Sequence, residues 1–248
     1  MSCYRYKITL EYLGKGYCGW QRQKEALSLQ KIIEDAIFAF TKERVSLIVA
    51  GRTDAGVHAY GQVAHFDLSQ EHDLKKLMYS INHFARPHTI GVVDSKMVDT
   101  DFHARFSAKA RHYVYKILNR GSVNIINKDL EYHIRDFLDI EEMQKGANYL
   151  LGRHDFTSFR ASECQSNSPI RTLDKIEIVK NGESEIRLYF SSLSFLHHMV
   201  RNITGSLIMV GSGKWKAEKI KEVLDTKDRR VAASTAPAHG LYFIRVDY

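Results

Sequence analysis

Proline is almost missing from these 248 residues: only Pro87, Pro169 and Pro237 occur. Each lies shortly before a segment that reads as strand. Because proline disfavours helical backbone in the residue before it, all three mark places where a sheet segment begins. Cysteine is as scarce. Cys3, Cys18 and Cys164 are odd in number, scattered and without metal-ligand spacing. That argues against a disulfide framework or a thiolate metal centre and predicts three reduced thiols. Long apolar runs are lacking too: stretches such as LIMV fall far short of the roughly 18–20 residues that cross a membrane. The opening MSCYRYKITLEY has no apolar signal core and alternates at once, so a cytoplasmic protein with no membrane partner is expected.

What is present is ordinary in proportion, with 44% hydrophobic and 26% charged residues, and basic in balance. Lysine and arginine number 36 against 29 acidic residues, a formal charge of +7, with a pI near 9.2. Such a balance is compatible with a polyanionic partner, since phosphate contacts dominate affinity for nucleic acid.

Hydrophobic periodicity divides the chain into two similar rhythms. Tyr4, Tyr6, Ile8, Leu10 and Tyr12 alternate with polar residues as a strand with one wet face. Leu29, Ile32, Ile33, Ala36, Ile37 and Phe40 follow helical spacing. VSLIVA and QVAHFDL are short β-like runs, Leu74, Leu77, Met78 and Ile81 form a second helix, and TIGVVDSKMV a further strand. The order β-α-β-β-α-β is ferredoxin-like, an α+β arrangement. After about residue 105 the rhythm returns. Tyr113, Tyr115 and Ile117 alternate; Asp139 caps a helix with Glu142 completing a capping box; LDKIEIV and SEIRLYF flank the hairpin signal Asn181-Gly182. FLHHMVRNITGSLIMVG reads as a mostly apolar helix and LYFIRVDY as a closing strand. Two halves are therefore expected, residues 1–105 and 106–248, with a cleft between them.

Three features exceed what folding requires. In VAGRTDAGVHAYGQVAHF, Gly51 and Gly56 suit a turn, yet Arg52, Asp54 and His58 add charge and polarity on a loop held between apolar strands. Aspartate between glycines is commonly a turn former, but its polar neighbours point beyond that. Arg201 stands in the apolar helix, where it must reach solvent or find a partner. Gly205, one turn on, leaves room for an approaching loop, and the best candidate is that of Asp54. Tyr113 lies on one strand face with Tyr115, where alternating tyrosines are also ordinary amphipathic strand residues; KDRR, Lys227 to Arg230, reads as a solvated loop that could contact phosphate beside a cleft. A metal site built from Asp54, His58, His65, His197 and His198 is the rival. It is disfavoured because adjacent histidines on a helix point about 100° apart, so no metal is expected.

AGRTDAGVHA closely resembles the signature of the tRNA pseudouridine synthase A (TruA-type) family. GYCGWQRQ, ARHYVYK, LLGRHDFTSFRA, SPIRT, FLHHMVRNITGSL and APAHGLYFIRVDY appear in family order. The resemblance implies a pseudouridine synthase fold, two ferredoxin-like halves sharing a mostly antiparallel sheet with a central basic cleft. It implies a homodimer that isomerises uridine to pseudouridine in the tRNA anticodon arm, at positions 38 to 40. Carried over by motif, Asp54 is the nucleophile, Tyr113 stacks on or deprotonates the target uracil, Arg201 pairs with Asp54, and Arg52 helps to displace the base, with His58 a further substrate-binding candidate. Leu13 and His112 depart from the residues usual in the family and touch only peripheral RNA contacts.

The chemistry explains the charges. The N1–C1′ bond breaks, the uracil turns and C5 joins C1′, with no redox step, so no cofactor is expected. A carboxylate must stay ionised in a site that excludes water, and an adjacent arginine offsets the desolvation that would raise its pKa. Attack at C1′, attack at C6 and a glycal route all remain compatible with Asp54. A non-catalytic RNA-binding module is the alternative; an anion in a phosphate-binding cleft argues against it.

Overall fold

The computed structural model describes residues 3–248. In chain order these carry β1 (Tyr4–Tyr12), α1 (Leu29–Thr41), β2 (Ile48–Val49), β3 (His58–Leu68), α2 (Leu74–Phe84) and β4 (Ile90–Val98). Next come β5 (Ala110–Asn119), β6 (Tyr132–Ile134), α3 (Ile140–Asn148), β7 (Gly152–Asp155), β8 (Ile170–Asn181) and β9 (Glu185–Ser192). The last are α4 (Met199–Gly211), α5 (Lys219–Thr226) and β10 (Leu241–Asp247). The class is mixed α+β with mostly antiparallel strand pairs, as expected. No helix among the described residues is long and apolar enough to cross a membrane.

The chain forms two compact units. The first comprises residues 1–109 together with 243–248, the second residues 110–242. The boundary therefore falls inside β10.

In the first unit, β1 is flanked by β4 and β3, both antiparallel to it, and β2 pairs antiparallel with β3. The order β4-β1-β3-β2 is that of a ferredoxin-like sheet. The alternation in β1 has a clear outcome: Tyr6, Ile8, Leu10 and Tyr12 are buried, while Glu11 is exposed. Helix α1 buries Leu29, Ile32, Ile33, Ala36 and Ile37. It starts where the Ser28 side chain accepts the Lys31 N–H, and α2 starts where Asp73 accepts that of Lys76. β10 contributes Val246, which packs with Tyr248 and Phe102 against Ala50, Val63 and Ala104. The Tyr248 hydroxyl donates to the Ala104 carbonyl at 2.8 Å.

In the second unit the strands run β5-β9-β8-β7, each pair antiparallel, and β6 lies parallel beside β5. Asn181 faces Glu185 across the β8–β9 hairpin, with Gly182 at φ 67°. Asp139 caps α3 by accepting the N–H groups of Glu141 and Glu142 at 3.0 and 3.1 Å. The expected capping box is half made. The Asp139 N–H is taken by the Gly211 carbonyl at the end of α4 (2.8 Å), and the Glu142 carboxylate holds Lys145 instead. A tertiary bond thus satisfies one helix's last carbonyl with the donor that a local motif would have used. The apolar run before Arg201 is shorter as a helix than the sequence suggests. Helix α4 begins only at Met199, after His198 in a left-handed conformation (φ 61°).

Candidate active site

The loop carrying Asp54 is fixed from three directions within the first unit. From β1, the Tyr12 hydroxyl shares a 2.8 Å hydrogen bond with Thr53 Oγ1. From β3, Gln62 Nε2 donates to the Gly51 carbonyl at 2.7 Å and reaches the Tyr12 hydroxyl at 3.5 Å. From the GYCGW segment, the Trp20 N–H donates to the Thr53 carbonyl at 3.0 Å. Gly19 makes this last approach possible: at φ 99°, a Cβ there would stand 2.7 Å from the Thr53 carbonyl oxygen. Gly56 closes the turn at φ 80°, and the Val57 N–H donates back to the Asp54 carbonyl at 3.2 Å. Burial pushes the Tyr12 phenol up to about 12, so it holds the loop as a neutral hydrogen-bonding group.

The side chains so presented differ in exposure. Arg52 is exposed, Thr53 buried and Asp54 intermediate. His58, expected at the substrate, is fully buried, and its Nδ1 accepts the Gly14 N–H at 3.0 Å. Its place is inside the wall that supports the loop. His65, one of the metal candidates, is buried as well and accepts the Ala104 N–H at 3.1 Å. Burial, with the charges of Arg5 and His103, holds its imidazole down to about 4.

In the second unit, Tyr113 is buried on β5 with its ring edge-on to Phe195, centroids 5.1 Å apart. Two residues along the same face, Tyr115 is fully buried and donates its hydroxyl to the Pro237 carbonyl at 2.7 Å. Burial raises its pKa well above the ordinary phenol value. Arg111, on the same face, is also buried and donates to the Leu193 carbonyl.

Arg201 lies in the first turn of α4 and is intermediate in exposure. Its Nε donates to the Ala236 carbonyl at 2.8 Å, and the Ala236 N–H donates to the Arg201 carbonyl at 3.2 Å. The space beside Gly205 is filled, but not by the Asp54 loop that the sequence suggested. A Cβ at Gly205 would collide with the carbonyl of Ser234, from the strap that precedes β10. The histidine pair also differs from expectation. His197 and His198 precede the helix, with ring centroids 4.0 Å apart. The 100° separation expected on a helix does not apply to them.

Sequence reasoning missed the polar residues that hold these groups. Gln62 is fully buried in β3, and Asn202 is fully buried beside Arg201. Arg229, read as part of a solvated loop, donates to Asn202 Oδ1 and Thr235 Oγ1, both at 3.1 Å. Its neighbour Arg230 is exposed and pairs with Asp228 at 2.7 Å. A polar side chain inside an apolar periodic run was the available signal for Gln62 and Asn202. Arg229 offered none.

The family model for tRNA pseudouridine synthase matches residues 8–107 and 147–248. The chain is 50% identical over 245 residues to tRNA pseudouridine synthase A of Ehrlichia canis (strain Jake), covering 98% of this chain and 100% of that protein. To tRNA pseudouridine synthase A of Ehrlichia chaffeensis (strain ATCC CRL-10679 / Arkansas) it is 48% identical, with the same coverage. Among solved structures, a chain of a Cbf5–Nop10–Gar1 complex is similar at 10% identity and a TM-score of 0.38, covering 96% of this chain and 48% of that one. With the model matched on both units and about half of all residues shared with curated members along nearly the full length, the chain belongs to the tRNA pseudouridine synthase family.

Proposed function

We propose that this protein is an isomerase that converts uridine to pseudouridine in tRNA, at uridines of the anticodon arm, with Asp54 as the nucleophile. The carrying observation is family membership combined with an aspartate on a loop anchored from β1, β3 and the GYCGW segment. A rigid mount suits a group that must meet one sugar or base carbon repeatedly in the same geometry. Arg201 is the cation that keeps the carboxylate ionised where water is excluded. Tyr113 stacks on the uracil or moves its proton. Arg52, exposed on the same loop as Asp54, fills the space that the target base leaves on unstacking, which itself costs a few kcal/mol.

Joining C5 of uracil to C1′ expels the hydrogen on C5, whichever route Asp54 takes. A tRNA with tritium at uridine C5 is therefore expected to release label to water, in EDTA and without any nucleotide. Asp54→Ala and Asp54→Asn are expected to release none above background, since loss of a sole nucleophile leaves no second route. Release by Asp54→Ala would overturn the assignment. Binding of tRNA with no release by the wild type would support a non-catalytic RNA-binding module. Release abolished by EDTA would return a metal to the site, and His197 and His198 would be its first candidate ligands. The family resemblance also supports a cytoplasmic homodimer. Sedimentation of the 28.6 kDa chain checks the dimer.

A further inference from the structure

The segment from Ala232 to Pro237 lies along α4 as a strap, and the contacts between them form a seam. The Ala233 N–H donates to Ser206 Oγ at 3.2 Å, and the Ser234 carbonyl occupies the space over Gly205. Thr235 Oγ1 donates to Asn202 Oδ1 at 2.7 Å, and Ala236 exchanges two hydrogen bonds with Arg201. One residue outside both elements ties the seam together. The Arg229 guanidinium donates through Nη2 to Asn202 Oδ1 and Thr235 Oγ1, and through Nη1 to the Ala232 carbonyl at 3.3 Å. Asn202 is fully buried, and its Nδ2 donates to the Phe159 carbonyl at 2.8 Å, so the cation is anchored on a fixed point.

We propose that Arg229 is a positioning residue for uridine isomerisation: it fixes the strap whose Ala236 carbonyl aims the Arg201 guanidinium. Nε is the end of the guanidinium bound to the strap, so the direction of the Nη groups follows the position of that carbonyl. A planar fork holding two side chains and a carbonyl cannot be replaced by a point charge. The proposal rests on the reading that Arg201 serves the reaction.

The test is a double-mutant cycle on single-turnover label release. Arg229→Met is expected to lower the rate about 10- to 100-fold, the scale of an ångström of misplacement, with tRNA binding within about two-fold of wild type. Arg201→Lys keeps the charge but has no Nε to be aimed. In that background Arg229→Met is expected to cost little further rate, while lowering the unfolding midpoint as much as it does in the wild type. Equal fractional losses of rate in both backgrounds would overturn the proposal and leave Arg229 a purely structural residue. Wild-type rates for Arg201→Lys and Arg201→Ala would overturn instead the reading of Arg201. Should Arg229→Met not fold, Thr235→Val enters the same cycle. Should the double variant fall below detection, the ¹H–¹⁵N signal of Arg201 Nε decides. It is assigned by its loss in Arg201→Lys. A shift on Arg229→Met or Thr235→Val supports the proposal, and an unmoved signal overturns it.

Discussion

Tyr12 shows how a single residue can serve fold and site together. Its ring is buried, yet its hydroxyl meets Thr53 and Gln62, so removing the oxygen strands the buried polar groups left behind. Tyr12→Phe is expected to cost about 1–3 kcal/mol, read as a lower unfolding midpoint, and to slow label release by loosening the Asp54 loop. A second prediction concerns His65, whose imidazole is held down to about 4 by burial and by Arg5 and His103. The folded state then binds fewer protons than the unfolded chain between about pH 4 and the ordinary histidine value near 6.5. Its contribution to stability is complete above that range and is lost as pH falls through it. His65→Asn keeps an acceptor for the Ala104 N–H without titrating, so urea midpoints measured at pH 7.5 and 5 should converge. An unchanged difference between the two would sink this account. Asp54 and Arg201 stood out in the sequence because charge in an unexpected setting is a local signal, whereas Tyr113 alternates like any strand residue and was singled out only by the family motif. Tyr12 looked like any strand residue, since the value of its hydroxyl depends on Thr53, forty-odd positions away.

At the scale of elements, most boundaries were legible because alternation in β1 and helical spacing in α1 are themselves consequences of which side chains are buried. The exceptions were tertiary. Local pattern made His197 and His198 part of a helix, but the left-handed turn at His198 starts it later. Glu142 had the spacing of a capping box, but the Asp139 N–H was already committed to Gly211. Gly205 announced a close approach, but the sequence pointed to the wrong visitor, the Asp54 loop. The actual visitor, the Ser234 carbonyl, gives a prediction: Gly205→Ala must push the strap off α4 or bend the helix. Both outcomes disturb the hydrogen bonds between Ala236 and Arg201. A loss of roughly 1–3 kcal/mol, the usual scale of overpacking, should accompany a slower turnover. Retention of both wild-type midpoint and rate would show that the seam yields without consequence.

For the molecule as a whole, the charge of +7 leads to a statement about binding. Phosphate contacts release counterions, so tRNA affinity should fall steeply as salt rises. Asp54→Asn should bind about as tightly as the wild type, because the nucleophile acts on the base or sugar and contributes no phosphate contact. Filter binding across a salt series checks both; a flat response would count against a phosphate-binding surface. The β-α-β-β-α-β order of the first half was legible in the sequence, whereas the second half adds β6, β7 and α5, which its periodicity did not announce. The destination of the last strand was not legible either, because no periodicity states which distant partner a strand will join. Residues 243–248 belong with residues 1–109, and Val246 and Tyr248 help to fill the cluster of Ala50, Val63 and Ala104. This sets an order of events at the ribosome. The N-terminal unit emerges first but stays unfinished until all of residues 110–242 have been made. A chain stalled anywhere in that interval leaves the cluster of Ala50, Val63 and Ala104 without Val246 and Tyr248.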